Sequence, residues 1–134
     1  MENFPDQINI FIESIINQSE EINKVKHAIS NLIDIKLKHE NEKIIGNSRN
    51  YRDLQIIYEN LRSKQNIAVA RRMLKRNITK DSTHILYNKQ AAYVKSFAIC
   101  ENANESSLGP IKITIVSNDI IKFIDWIAPR YKKK

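Results

Sequence analysis

Glycine is almost missing from this chain: Gly46 and Gly109 are the only two in 134 residues. Two glycines do not build a phosphate-cradling loop, so P-loop and dinucleotide-binding signatures are excluded. Proline is as sparse, at three residues. With so few breakers, the chain should form continuous elements joined by short turns. A single cysteine, Cys100, rules out an internal disulfide and points to a reducing, cytoplasmic setting. Within "FAIC" it reads as a small buried apolar residue, with no helix N-terminus or adjacent histidine to make it a nucleophile. No apolar run approaches a membrane span. The opening "MENFPDQ" is polar and acidic, unlike a signal peptide.

Acidic residues are also missing where bases gather. Residues 62–80, "RSKQNIAVARRMLKRNITK", hold seven Lys/Arg and no Asp or Glu, and "PRYKKK" from Pro129 adds four bases. The formal net charge is +7, yet the remainder of the chain is net acidic. A basic helix, a basic tail and a mildly acidic body make the layout expected of a surface for phosphates. At 42% apolar and 28% charged residues, the composition is that of one globular domain spanning 1–134, with 130–134 as its basic tail.

Periodicity supplies the elements. "QINIFIESII" alternates Ile8, Ile10 and Ile12 with Asn9, Phe11 and Glu13, a largely buried strand. Asn17 and Glu20 have capping-box spacing ahead of a helix whose stripe is Ile22, Val25, Ile29, Leu32 and Ile33. "DIKLKH" and "KIIG" read as a hairpin around "ENE". Ser48 or Asn50 starts a helix carrying Leu54, Ile57, Tyr58 and Leu61. After a break near 63–66, Ile67, Ala70 and Leu74 form the apolar face of a further helix, with Lys64, Arg71, Arg72, Lys75 and Arg76 on its other side. "STHILY", "AAYVKSFAIC" and "PIKITIVS" read as strands. "SNDIIKFIDWIA" is a closing helix, capped by Ser117 or Asn118 and stopped by Pro129. Asn88, Lys89 and Gln90 interrupt the strand pattern, either as a hairpin turn or as a bulge in one long strand. The order β-α-β-β-α-α-β-β-β-α favours an α+β fold, a mostly antiparallel sheet with helices on one face.

Enzyme signatures are lacking. His27, His39 and His84 are far apart in sequence, and His84 with Cys100 is too few ligands for zinc. No metal or cofactor is expected. Trp126 fits a packing role at the core edge. Asn88, Gln90 and Glu105 would suggest catalysis only if they converged in a deep pocket. No recognition-helix motif, RRM aromatic motif or GxxG loop is present.

"KIIGNS", "ARRMLKRNI", "YNKQAAYV", "ESSLGPIKITI" and "DWIAPR" occur in this order and, most clearly over residues 44–130, resemble an archaeal uncharacterised protein family of the UPF0201 or DUF54 type. That family is grouped with predicted RNA-binding proteins linked by genome context to exosome and ribosome functions. The resemblance implies the α+β sandwich of large-subunit ribosomal protein five and an RNA-binding role, and carries no catalytic residues. Asn88-Lys89-Gln90 belongs to the shared motif. The chain departs from the family in its Asn-, Ile- and Lys-rich composition and in lacking a glycine near "YVKSF".

The resulting expectation is a non-enzymatic RNA-binding protein. Lys64, Arg71, Arg72, Lys75 and Arg76 of the basic helix, spanning 64–76, would contact phosphates, joined by Lys89, Arg130 and Lys132. The alternative is a protein-interaction module, a homodimer paired through a sheet edge or helix surface.

Overall fold

The computed structural model describes residues 1–130. In chain order they form β1 (Ile8–Ile15), α1 (Ile22–Leu32), β2 (Leu37–Glu40), β3 (Lys43–Ser48), a 3-10 turn (Tyr51–Leu54) running into α2 (Gln55–Ser63), and α3 (Ile67–Arg76). There follow β4 (Ser82–Asn88), α4 (Lys89–Tyr93), β5 (Ile99–Cys100), a 3-10 turn (Ala103–Glu105), β6 (Pro110–Ser117) and α5 (Ile120–Ile127). The six strands make one sheet in the order β2-β3-β1-β6-β4-β5, with antiparallel neighbours throughout. This is the α+β arrangement that the element order favours.

Strand alternation decides which face the helices cover. Ile8, Ile10 and Ile12 of β1, Ile111, Ile113 and Ile115 of β6, and Ile85 and Tyr87 of β4 are buried. They meet Val25, Ile29 and Leu32 of α1, Ile57 and Leu61 of α2, Ala70 and Leu74 of α3, and Phe123, Ile124 and Ile127 of α5 in one core. β-branched isoleucine suits the pleated inner face and gives each strand a strong apolar side. The residues between them point to the opposite face, where Phe11 and Ile15 stay exposed. No helix covers that face among the described residues.

Trp126 fulfils the packing role. It is buried among Phe4, Tyr51, Tyr58 and Phe123, and its indole Nε1 donates to the Glu2 carbonyl at 3.0 Å. The N-terminal segment is thereby strapped across the helix layer.

Four local expectations are corrected. Residues 88–90 are neither a tight turn nor a bulge. The Asn88 side chain accepts from the Ala91 N–H at 2.9 Å and caps α4, so the polar trio is a helix start. The strand expected across "AAYVKSFAIC" shrinks to Ile99–Cys100 because α4 and the loop after it take up the rest, with Lys95 in the left-handed region at φ 60°. α1 begins at Ile22, later than the capping-box spacing implies. Asn17 and Glu20 do bond reciprocally, but Glu20 also turns toward Lys89 and the pair closes a separate turn. For α5, the cap is Asp119, one residue beyond Asn118; its carboxylate accepts from the Lys122 N–H at 3.0 Å.

Gly109 makes the tight entry into β6 possible. Its φ is +87°, and an added Cβ would lie 2.9 Å from the Ile15 Cγ1. Ser106 holds the turn by donating from Oγ to the Gly109 carbonyl at 2.7 Å. Gly109→Ala is expected to lower stability by roughly 1–3 kcal/mol, read from denaturant unfolding, because the left-handed backbone penalises any Cβ.

Candidate nucleic-acid interface

The basic run folds into the end of α2, α3 and the approach to β4, and its seven bases do different jobs. Arg62 and Arg71 face inward to the end of α5. The Arg62 guanidinium donates to the carbonyls of Tyr58 at 3.0 Å, Trp126 at 3.2 Å and Ile127 at 3.2 Å, and lies 3.4 Å over the Tyr58 ring centroid. Arg71 donates to Asp125 at 2.7 Å and to the Ala128 carbonyl at 3.1 Å. Both cations therefore bind carbonyls at the C-terminal end of a helix, where unpaired carbonyls concentrate negative partial charge. Arg71 was expected on the phosphate-facing side. It is turned inward and largely covered, because α5 brings Asp125 to it.

Arg72 and Arg76 lie further round the same helix. Arg72 pairs with Glu101 at 2.7 Å across two half-exposed side chains, and Arg76 donates to the Glu101 backbone carbonyl. Together they tie the loop after β5 to α3. A solvent-exposed pair of this kind is weak, so Arg72 remains exchangeable. Lys64, Lys75 and Lys80 are exposed and join no ion pair among the described residues. Arg130 is exposed just after Pro129, and Lys132 lies outside the described residues.

Lys89 does not extend this surface, contrary to expectation. It is only 3% exposed. Its ammonium donates to the Ile15 carbonyl at 2.7 Å, the Leu108 carbonyl at 2.8 Å and the Glu20 carboxylate at 2.9 Å. All three ammonium protons thus have partners, and a phosphate has no access. Burial alone would raise the Glu20 pKa. The hydrogen bond from Lys89, those from the Asn17 N–H and side-chain amide, and the nearby lysine charge outweigh it and hold the carboxyl below its ordinary value. The shared "NKQAA" and "SSLG" segments meet here. Asn88 caps α4, Lys89 clamps the end of β1 to the 108–109 turn, and Ser106 and Gly109 shape that turn.

The remaining polar candidates each have a separate structural partner. Asn88 is used as a cap, Gln90 accepts from Ser107 Oγ at 3.3 Å, and Glu105 accepts from the Glu101 N–H at 2.9 Å. Cys100 is buried, and its thiol pKa is pushed up by burial and by Glu105. His84 is held below its ordinary pKa by partial burial, then by the positive charges of Lys112 and Arg76. No group of three or more metal-type ligands is present among the described residues, and no helix there is long and apolar enough to cross a membrane.

An antiparallel sheet layered on one side by helices, with Lys75 exposed on α3 and Lys64 and Lys80 exposed in the turns flanking it, is an arrangement suited to polyanion binding. A family model described as RNA binding matches residues 9–117, and the chain belongs to that family. Its relatives carry the UPF0201 name. The chain is 36% identical to the UPF0201 protein of Sulfurisphaera tokodaii, over 92% of this chain and 89% of that one. It is 37% identical to the one from Pyrococcus abyssi, over 90% and 89%. The crystal structure of the UPF0201 protein from Methanococcus jannaschii superposes with a TM-score of 0.79 at 31% identity, covering 92% of this chain and 95% of that one. A DUF54 protein from Methanothermobacter thermautotrophicus, at 17% identity and a TM-score of 0.66 over 92% and 99% of the two chains, shares the fold.

Proposed function

We propose that this protein is a non-enzymatic RNA-binding module that holds phosphates through Lys64, Lys75 and Lys80. Arg72 and Arg76 at the rim, with Arg130 and Lys132 of the tail, extend the surface. The RNA-binding family match across residues 9–117 is the observation that carries the reading. The three exposed lysines support its placement, since among the described residues no carboxylate pairs with them. Lys64 lies in the turn between α2 and α3, Lys75 in the last turn of α3, and Lys80 in the turn before β4. Contacts of this kind position an RNA by its backbone and carry no sequence preference.

Filter binding of a structured RNA hairpin at two salt concentrations tests the reading. Affinity is expected to fall steeply with salt, because each neutralised phosphate releases counterions. The double variant Lys64→Ala/Lys75→Ala should bind more weakly, and its log–log salt slope should be shallower by roughly two, about one per lost phosphate contact. No binding at low salt, or binding indifferent to salt, contradicts the reading.

A further inference from the structure

The uncovered sheet face carries a row of side chains across four strands. Cross-strand register places Asn47 of β3, Phe11 of β1, Thr114 of β6 and His84 of β4 in line. Phe11 is 45% exposed at the centre of the sheet, which is unusual for a phenylalanine with a core available on the other face. Strand spacing sets Phe11 and His84, the two rings of the row, about 10 Å apart with Thr114 between them. The adjoining row holds Ile45, Glu13, Lys112 and Leu86. Glu13 pairs with Lys43 at 3.8 Å, whereas Lys112 joins no ion pair among the described residues. Arg76 binds a backbone carbonyl, which leaves its charge uncancelled by that bond, and it lies close enough to His84 to disfavour the imidazolium. Asn77, next to Arg76, donates from its side-chain amide to the His84 carbonyl at 3.1 Å, so the end of α3 lies beside β4.

We propose that this open face seats a single-stranded RNA segment, with a base stacked on Phe11 and phosphates directed to Lys112 and Arg76. The inference rests on the RNA-binding reading and adds to it a base-contacting surface of different chemistry. Sheets take unpaired RNA in this way because every base has a flat face that an exposed ring can receive, while Asn and Thr supply hydrogen bonds to base edges. Charge favours this occupant over a second copy of the chain. On this face β6 presents Lys112, which joins no ion pair among the described residues, Arg76 stands at the end of α3 beside β4, and Phe11 is the only apolar member of its row.

The test is fluorescence anisotropy at low salt with a labelled ten-nucleotide oligouridine and a ten-base-pair RNA duplex, beside sedimentation of the free protein. Phe11→Leu keeps an exposed apolar side chain but removes the ring. It should weaken oligouridine binding roughly ten-fold and leave duplex binding unchanged. Phe11→Tyr should bind as the wild type does. If Phe11→Leu binds both probes normally while Lys64→Ala/Lys75→Ala weakens both, the sheet-face inference fails and the helix reading stands. If the wild type binds neither probe, both fail. A wild-type dimer that Phe11→Glu splits into monomers assigns the face to a second copy and overturns the inference.

Discussion

Lys89→Met is expected to lower the unfolding free energy by about 3–5 kcal/mol at neutral pH, measured by denaturant unfolding. Methionine matches the length of the lysine stem, so packing changes little. What is lost is the ammonium of a buried side chain, which donates to two carbonyls and one carboxylate. The Ile15 and Leu108 carbonyls then lack this partner, and the half-buried Glu20 carboxylate keeps only its two bonds from Asn17. The pH dependence identifies the carboxylate's share. With its folded pKa depressed, Glu20 stabilises the wild type above its unfolded value of about 4.3, and that contribution fades as pH falls through the lower folded value. Without Lys89, only the two bonds from Asn17 oppose the effect of burial, so the carboxyl is held down less. The gap between wild type and variant should therefore narrow in acid. Adding Glu20→Gln to Lys89→Met should restore part of the loss, since it removes the carboxylate charge but leaves the carbonyls. A constant gap from pH 7 to pH 3 would contradict the assignment.

Arg62→Ala is expected to cost about 2–4 kcal/mol. Hydrogen bonds from a charged donor contribute roughly 1.5–3 kcal/mol, and a guanidinium stacked on a partly desolvated ring adds about 0.5–2 kcal/mol, with overlap between the two. Arg62→Lys should recover little, because an ammonium cannot reproduce the planar fork that reaches Trp126, Ile127 and Tyr58 while lying flat on the Tyr58 ring. Thermal unfolding of the two variants separates this from a purely electrostatic role: an Arg62→Lys protein as stable as the wild type would rule out the stacking geometry as its source.

The layout of the fold was legible because it follows local periodicity. Isoleucines at every second position marked β1 and β6, and stripes such as Ile57, Tyr58 and Leu61 marked the helices. What sequence spacing cannot see is pairing at long range. The absence of acids between residues 62 and 80 implied that the bases repel one another unless an external anion relieves them. The fold supplies acids and carbonyls from elsewhere: Asp125 lies 54 residues from Arg71, and Glu101 lies 29 from Arg72. Lys89 was misplaced for the same reason, since Glu20 is 69 residues away and the strand-like sequence around it gave no sign of a buried ammonium. The helix at 89–93 escaped notice because five residues are too few to display a stripe. Its one local signal was Asn88, a good cap that suits a turn equally well. Phe11 and His84 belong to different strands in sequence, and only the cross-strand register puts them in one row.

On the proposed reading the basic run divides its labour: the inward arginines hold the fold, and the exposed lysines hold RNA. Stability and RNA-hairpin affinity measured side by side for two variants test it most directly. Arg71→Gln should lose stability while keeping the wild-type affinity and salt slope wherever it is folded. Lys64→Ala/Lys75→Ala should unfold like the wild type and lose both affinity and slope. If the arginine variant loses the salt slope, or the lysine pair leaves binding untouched, the division does not hold.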